Sequence, residues 1–226
     1  MSLPEPSAPP PRHRDRLDTA ISGLDRSLRA LFAPARAARP LPRPRVSNPP
    51  APQPKLDDPG RRRAASLMRV NHAGEVAAQA LYHGQALLAR EERTRDFLLQ
   101  SALEEADHLA WCEQRLVALG ARPSLLNPLW YAGSFALGAL AASFGDRASL
   151  GFMAETERQV EGHISGHLER LPREDVESRA VLEAMRDDEV LHGSKARRSG
   201  AATLPAPVRE LMRATSRVMT RAAAWI

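Results

Sequence analysis

A single cysteine, Cys112, is present in 226 residues, which excludes an internal disulfide framework and fits a reducing compartment. It sits four residues after His108 in a helical stretch, where a small apolar side chain is its expected role. Aromatic residues make up 4% of the chain, and no helix-turn-helix, finger or aromatic-studded sheet signature accompanies its basic residues. Nucleic acid is therefore not an expected partner. No Gly-rich dinucleotide fingerprint occurs either, so the chain does not advertise its own source of electrons. The opening lacks the charged-then-apolar pattern of a secretory leader. Glu5, Asp15, Asp18 and Asp25 argue against a mitochondrial presequence, and a cytoplasmic location is expected. Finally, no charge at all falls between Pro123 and Gly145.

What is present is unevenly spread. Residues 1–65 hold thirteen Lys/Arg against six Asp/Glu, and the remainder nineteen against twenty-one, so the basic excess belongs to the first part. A membrane surface or plain solubility accounts for it. Fourteen of the nineteen prolines lie in residues 1–60. That composition predicts a mostly disordered Pro/Arg-rich arm, broken by one short helix at 18–32 where Ile21, Leu24, Leu28, Leu31 and Phe32 recur at helical spacing. Residues 61–226 suffice for one domain whose core stands without staples.

The domain is organised around a repeat. Glu105 and His108 are three residues apart and share a helix face; Glu189 and His192 repeat the spacing. One further glutamate precedes each pair, Glu75 by 30 residues and Glu157 by 32. A lone Glu-x-x-His means little, since roughly half a match arises by chance in such a composition. Two pairs and two single glutamates at near-equal offsets predict an all-α, ferritin-like four-helix bundle carrying a carboxylate-bridged pair of metal ions. Two divalent ions would cancel four carboxylates that are otherwise costly to bury. Carboxylate oxygen with a minority of imidazole suits iron or manganese. Glu161 is the local competitor of Glu157, Asp187 and Asp188 are expected to orient the nearby imidazoles, and His72 and His83 are expected outside the ligand set.

The helices are predicted at about 61–91, 94–119, 127–144, 146–171, 173–199 and 207–226. Asn127 and Pro128 look like a cap and first helical residue, and Asp146 like the next cap. The uncharged third helix is an apolar crossover between the two hairpins. It is expected to pack on the bundle with its outer face in one leaflet; a true span and burial against another subunit are the alternatives. The last helix is amphipathic, with Arg209, Arg213, Arg217 and Arg221 in a row beside Val208, Leu211, Met212, Val218 and Met219, a pattern that suits an anionic bilayer or a solvated outer face.

Several words of sequence carry a resemblance. Asn71-His72-Ala73-Gly74-Glu75, Glu105-Ala106-Asp107-His108-Leu109-Ala110-Trp111-Cys112, Leu126-Asn127-Pro128-Leu129-Trp130-Tyr131 and Asp188-Glu189-Val190-Leu191-His192 resemble the demethoxyubiquinone hydroxylase family of ubiquinone biosynthesis, from about Arg61 onward. The resemblance implies two Fe ions per chain, one held by Glu75, Glu105 and His108 and the other by Glu157, Glu189 and His192, with Glu105 and Glu189 bridging. Glu157 is followed by Arg158 where the resemblance leads one to expect a second glutamate. It also implies a peripheral enzyme on the cytoplasmic face of the cell membrane that hydroxylates a polyprenyl quinol with O2. The electron donor would be a reductase, NADH or the quinol itself, and a ubiquinone-biosynthesis complex a further partner. A ferritin-like iron oxidase or storage protein, and a non-catalytic membrane-complex scaffold, are the alternative readings of the same pattern.

Overall fold

The computed structural model describes residues 36–44 and 56–225, so the helix expected at 18–32 lies outside the described residues. Six helices follow in order: α1 (Asp58–Leu88), α2 (Glu92–Ala118), α3 (Asn127–Ser143), α4 (Asp146–Arg170), α5 (Val176–Arg198) and α6 (Ala206–Trp225). Among the described residues there is no strand, and the fold is an all-α, ferritin-like helical bundle.

Local chemistry sets the helix limits. Asp57 caps α1 by accepting from the Gly60 amide at 2.8 Å, with Pro59 in the first turn. The helix therefore begins three residues before its predicted start. α2 ends where Gly120 adopts φ 68° and the Ala121 amide reaches back to the Leu116 carbonyl at 2.8 Å, a left-handed stop that glycine makes without strain. Asp175 caps α5 through the Ser178 amide at 3.0 Å.

Two predicted caps act differently. Asn127 is the first residue of α3, and its side-chain amide faces Nδ1 of His72 at 3.3 Å instead of capping its own helix. The Asp146 carboxylate accepts from the amides of Arg90 and Glu91 at 2.9 and 2.8 Å. It pins the α1–α2 turn to the start of α4. In both cases a tertiary partner outbids the local one.

α1 is the centre of the molecule and packs against α2, α3, α4 and α6, while α4 packs on α5. The α1–α3 crossing depends on glycine at both faces. A Cβ on Gly84 would meet the Phe135 carbonyl oxygen at 2.1 Å, and one on Gly138 the Leu81 carbonyl oxygen at 2.1 Å. Backbone touches backbone there, as small residues permit.

The core has two main apolar clusters. Met68, Trp111, Cys112, Leu116, Ile164, Leu182 and Met185 belong to one; Tyr82, Leu98, Ala102, Met153, Ala154 and Ala196 belong to the other. Along every bundle helix the two clusters are separated by the positions of Glu75, Glu105, Glu157 or Glu189. Apolar packing thus fixes four helices around one polar layer. Cys112 belongs to the core as expected, with its Sγ 3.7 Å from the sulfur of Met185.

α3 buries only Tyr131, Gly138, Ala141 and Ala142, leaving Leu129, Leu137 and Leu140 exposed and Phe144 exposed beyond its end. Among the described residues, no helix is long and apolar enough to cross a membrane. α6 likewise buries only Ala223, which shares a small cluster with Val70, Ala73 and the partly buried Trp130 of α3.

Candidate metal centre

Six side chains singled out by spacing meet in the polar layer. α1 supplies Glu75, α2 Glu105 and His108, α4 Glu157, and α5 Glu189 and His192; none is more than 3% exposed. They form two overlapping groups. One comprises Glu75, Glu105, His108 and Glu189, the other Glu105, Glu157, Glu189 and His192, with the donor atoms of each group within 4.8 Å of one another. Glu105 and Glu189 belong to both.

The imidazoles aim inward through Nδ1. For His108, Nδ1 lies 2.9 Å from Glu105, 3.2 Å from Glu189 and 3.6 Å from Glu75. For His192 it lies 3.2 Å from Glu105 and 3.8 Å from both Glu157 and Glu189. These are approaches without hydrogen-bond direction. Nδ1 of both histidines, both oxygens of Glu105, Oε2 of Glu157 and Oε1 of Glu189 are buried and lack a hydrogen-bond partner. Buried polar atoms are rarely left so. Bare oxygens and nitrogens that converge without bonding one another are the donor arrangement a cation satisfies, and the mix of hard carboxylates with two imidazoles fits a pair of iron or manganese ions.

Nε2 of each ring, by contrast, is occupied. His108 meets Asp188 at 2.9 Å and His192 meets Glu104 at 2.6 Å. A carboxylate at Nε2 holds the proton there and leaves the Nδ1 lone pair for the cluster.

Burial and mutual charge shift the ionisation of these groups. Burial, reinforced by the neighbouring carboxylates, pushes Glu75 up to about 8 and Glu157 well above the carboxylate range. Burial opposes ionisation of Glu105 and Glu189 too, but His108 and His192 hold both below their usual values. Burial likewise disfavours charge on the imidazoles. The carboxylates nevertheless raise His192 to about 10 and His108 well above its ordinary value.

The family described as "Ubiquinone biosynthesis protein COQ7" has a model that matches residues 62–223. The chain belongs to this family. A protein of Ralstonia pickettii called 3-demethoxyubiquinol 3-hydroxylase is 57% identical over 213 residues, 92% of this chain and 98% of that relative. Proteins of the same description from Azoarcus sp. and Cupriavidus necator are 57% and 58% identical, over 91% and 92% of this chain and 98% and 99% of their own lengths.

In this COQ7-family chain the other candidate residues lie outside the two donor groups. Glu161 is only partly buried and belongs to neither donor group. Glu155 is buried, but Arg158 and Gln159 take its oxygens at 2.6 to 2.9 Å; the arginine after Glu157 therefore turns outward to a neighbour one turn back. His72 and His83 join α1 to α3 through Asn127 and Tyr131, away from the donor groups. Asp187 is exposed and pairs with Arg186. Asp188 does orient an imidazole, but that of His108 in the other hairpin, not its neighbour His192.

Three participants were not foreseen. Glu104 supports His192 across the bundle. Tyr82, fully buried, donates its hydroxyl to Oε1 of Glu157. Arg39, from the proline-rich arm, reaches Asp188. A partner on another element leaves no periodic trace in sequence. Only for Glu104 was there a signal, its place beside Glu105 matching that of Asp188 beside Glu189.

Proposed function

We propose that this chain is a di-iron monooxygenase that hydroxylates the ring of a polyprenylated demethoxyubiquinol with O2, the reaction named for its relatives. The observation that carries the reading is the pair of buried donor groups sharing Glu105 and Glu189. Glu75, Glu105 and His108 would hold one ion and Glu157, Glu189 and His192 the other. Bound there, two ferrous ions would supply the electrons that activate dioxygen.

The rest is done by the chain. Asp188 and Glu104 keep both Nδ1 atoms directed at the donor groups. The two apolar clusters on either side of the layer keep bulk water from it, which strengthens every charge interaction inside. The Tyr82 hydroxyl holds Oε1 of Glu157 by a donated hydrogen bond, so that this oxygen is fixed while Oε2 stays bare.

The substrate's prenyl tail belongs in a bilayer, and the exposed apolar side chains of α3 give the molecule a face with which to meet one. Leu125, Leu129, Leu140 and Phe144 are 56–74% exposed. Leu211, Val218 and Trp225 of α6 are exposed as well, and Trp130 of α3 packs on the small cluster that includes Ala223 of α6. We read this as peripheral attachment on the cytoplasmic side. Electrons would come from a separate reductase, NADH or the quinol, and a ubiquinone-biosynthesis complex would be a natural setting.

A single turnover tests the proposal. Iron-loaded protein is reduced without oxygen, mixed with a short-tailed demethoxyquinol, and exposed to isotopically heavy dioxygen. Label in the hydroxylated ring is the expected result. Oxygen consumption with unlabelled quinone would instead favour an iron-oxidase or storage role on the same bundle.

A further inference from the structure

The two Glu-x-x-His pairs are flanked by matching neighbours. Glu104 precedes Glu105 as Asp188 precedes Glu189, and Trp111 follows His108 by three residues as Lys195 follows His192. Each acidic neighbour crosses to the imidazole of the opposite hairpin. On one side the resulting chain ends in a cation from the bundle: Nε2 of His192 meets Glu104, and Nζ of Lys195 lies 3.6 Å from the same carboxylate oxygen.

On the other side the repeat has a tryptophan where that lysine would be. Trp111 cannot balance Asp188. Arg39 does so from outside the bundle. Its Nη2 lies 2.7 Å from Oδ2 of Asp188, the very oxygen that faces Nε2 of His108 at 2.9 Å. Its guanidinium carbon sits 4.7 Å above the Trp111 ring, and that ring packs on His108 with centroids 5.4 Å apart.

The segment around Arg39 is fastened on several points. The Ala38 amide donates to Oδ1 of Asp107 at 2.6 Å and Nε of Arg39 to Oδ2 at 2.7 Å. The Trp111 indole donates to the Arg39 carbonyl at 3.4 Å. Ala37 and Leu41 pack on the apolar cluster beneath. Arg39 lies ahead of the residues matched by the family model.

We propose that Arg39 is a positioning residue for the metal ligand His108. It supplies the cation missing from one half of the repeat, holds Asp188 on Nε2, and so presents Nδ1 to Glu75, Glu105 and Glu189. The inference rests on the metal reading given above. Arginine suits the task because one planar fork serves two acids at once, Nε on Asp107 and Nη2 on Asp188; a lysine ammonium has no such fork. Without it, Asp188, whose side chain is 20% exposed, is free to turn to water.

The test uses the full chain, depleted of metal and titrated anaerobically with ferrous iron against a chromogenic chelator, followed by Mössbauer spectra of the iron-57 form. R39M is expected to weaken one of the two ions about tenfold or more, the usual effect of removing an outer partner of a ligand, and to shift one of two iron signals. R39K should recover part of that loss. D188N, which leaves the arm in place, should shift the same signal even if R39M folds poorly. K195M should shift the other. Unchanged affinity and spectrum in R39M, or R39M and K195M shifting the same signal, would overturn the assignment. A wild type that takes up no iron pair would overturn the metal reading itself, and is told apart because it shows before any variant is compared.

Discussion

Metal loading should expel a countable number of protons. In water, four glutamates near ~4.3 and two histidines near ~6.5 would together carry roughly half a proton at pH 7. In the folded, metal-free protein Glu75, raised to about 8, and His192, raised to about 10, hold protons at that pH, and burial and the neighbouring carboxylates push Glu157 and His108 in the same direction. Glu105 and Glu189 are held ionised. Two divalent ions require every carboxylate ionised and every Nδ1 bare, so loading at pH 7 should release about two protons from Glu75 and His192, with any held by Glu157 and His108 in addition. The sign follows directly: proton release makes the apparent affinity for the ion pair rise with pH. Glu75 loses its own proton as pH rises through about 8, so release should fall by about one between pH 7 and pH 9. Titration calorimetry in buffers of different ionisation enthalpy gives the count. Release of one proton or fewer at pH 7 would refute the upward shifts of Glu75 and His192.

Three further outcomes follow from packing. Arg115, almost fully buried, ties α2 to the start of α5 through Asp175, Glu177 and Ser178; R115M leaves Asp175 buried without its cation and should cost about 3–5 kcal/mol, read as a lowered denaturation midpoint. G138A gains about 1 kcal/mol of helix propensity but places a methyl 2.1 Å from the Leu81 carbonyl. Because the obstacle is backbone, the overpacking penalty of about 1–3 kcal/mol or more wins, and the melting temperature should fall. Replacing both Leu137 and Leu140 by Asp should abolish co-sedimentation with vesicles and activity on a long-tailed quinol while leaving iron content intact; retention of activity on that substrate would show that it enters elsewhere.

Much of the bundle was legible because helices write their contacts locally. The i, i+3 spacing of Glu105 with His108 and of Glu189 with His192, and the offsets to Glu75 and Glu157, put six residues on inward faces before any packing was known, and the structure brings them together. Glu157 rather than Glu161 follows from the same arithmetic, since one turn along α4 leads out of the layer. The outer partners were not legible in that way. Asp187 and Asp188 are neighbours in sequence but about 100° apart around a helix, enough to send one to solvent and the other across the bundle. Asn127 has the chemistry of a cap, yet His72, 55 residues away, claims it. Arg39 lies in a stretch whose composition predicts no order at all, and only contact with Asp107 and Trp111 gives its place meaning.

The crossed support of the two imidazoles has a consequence for synthesis of the chain. When α2 is complete, His108 already has Glu105 beside it, but Asp188 lies eighty residues beyond His108 in the chain. When α5 emerges, His192 needs Glu104 from a helix completed long before. Neither hairpin can therefore assemble a finished half-site while the other is missing. A nascent or clipped chain that lacks α5 would leave His108 without its outer partner, and on the metal reading proposed above the donor set is complete only once α5 has been made.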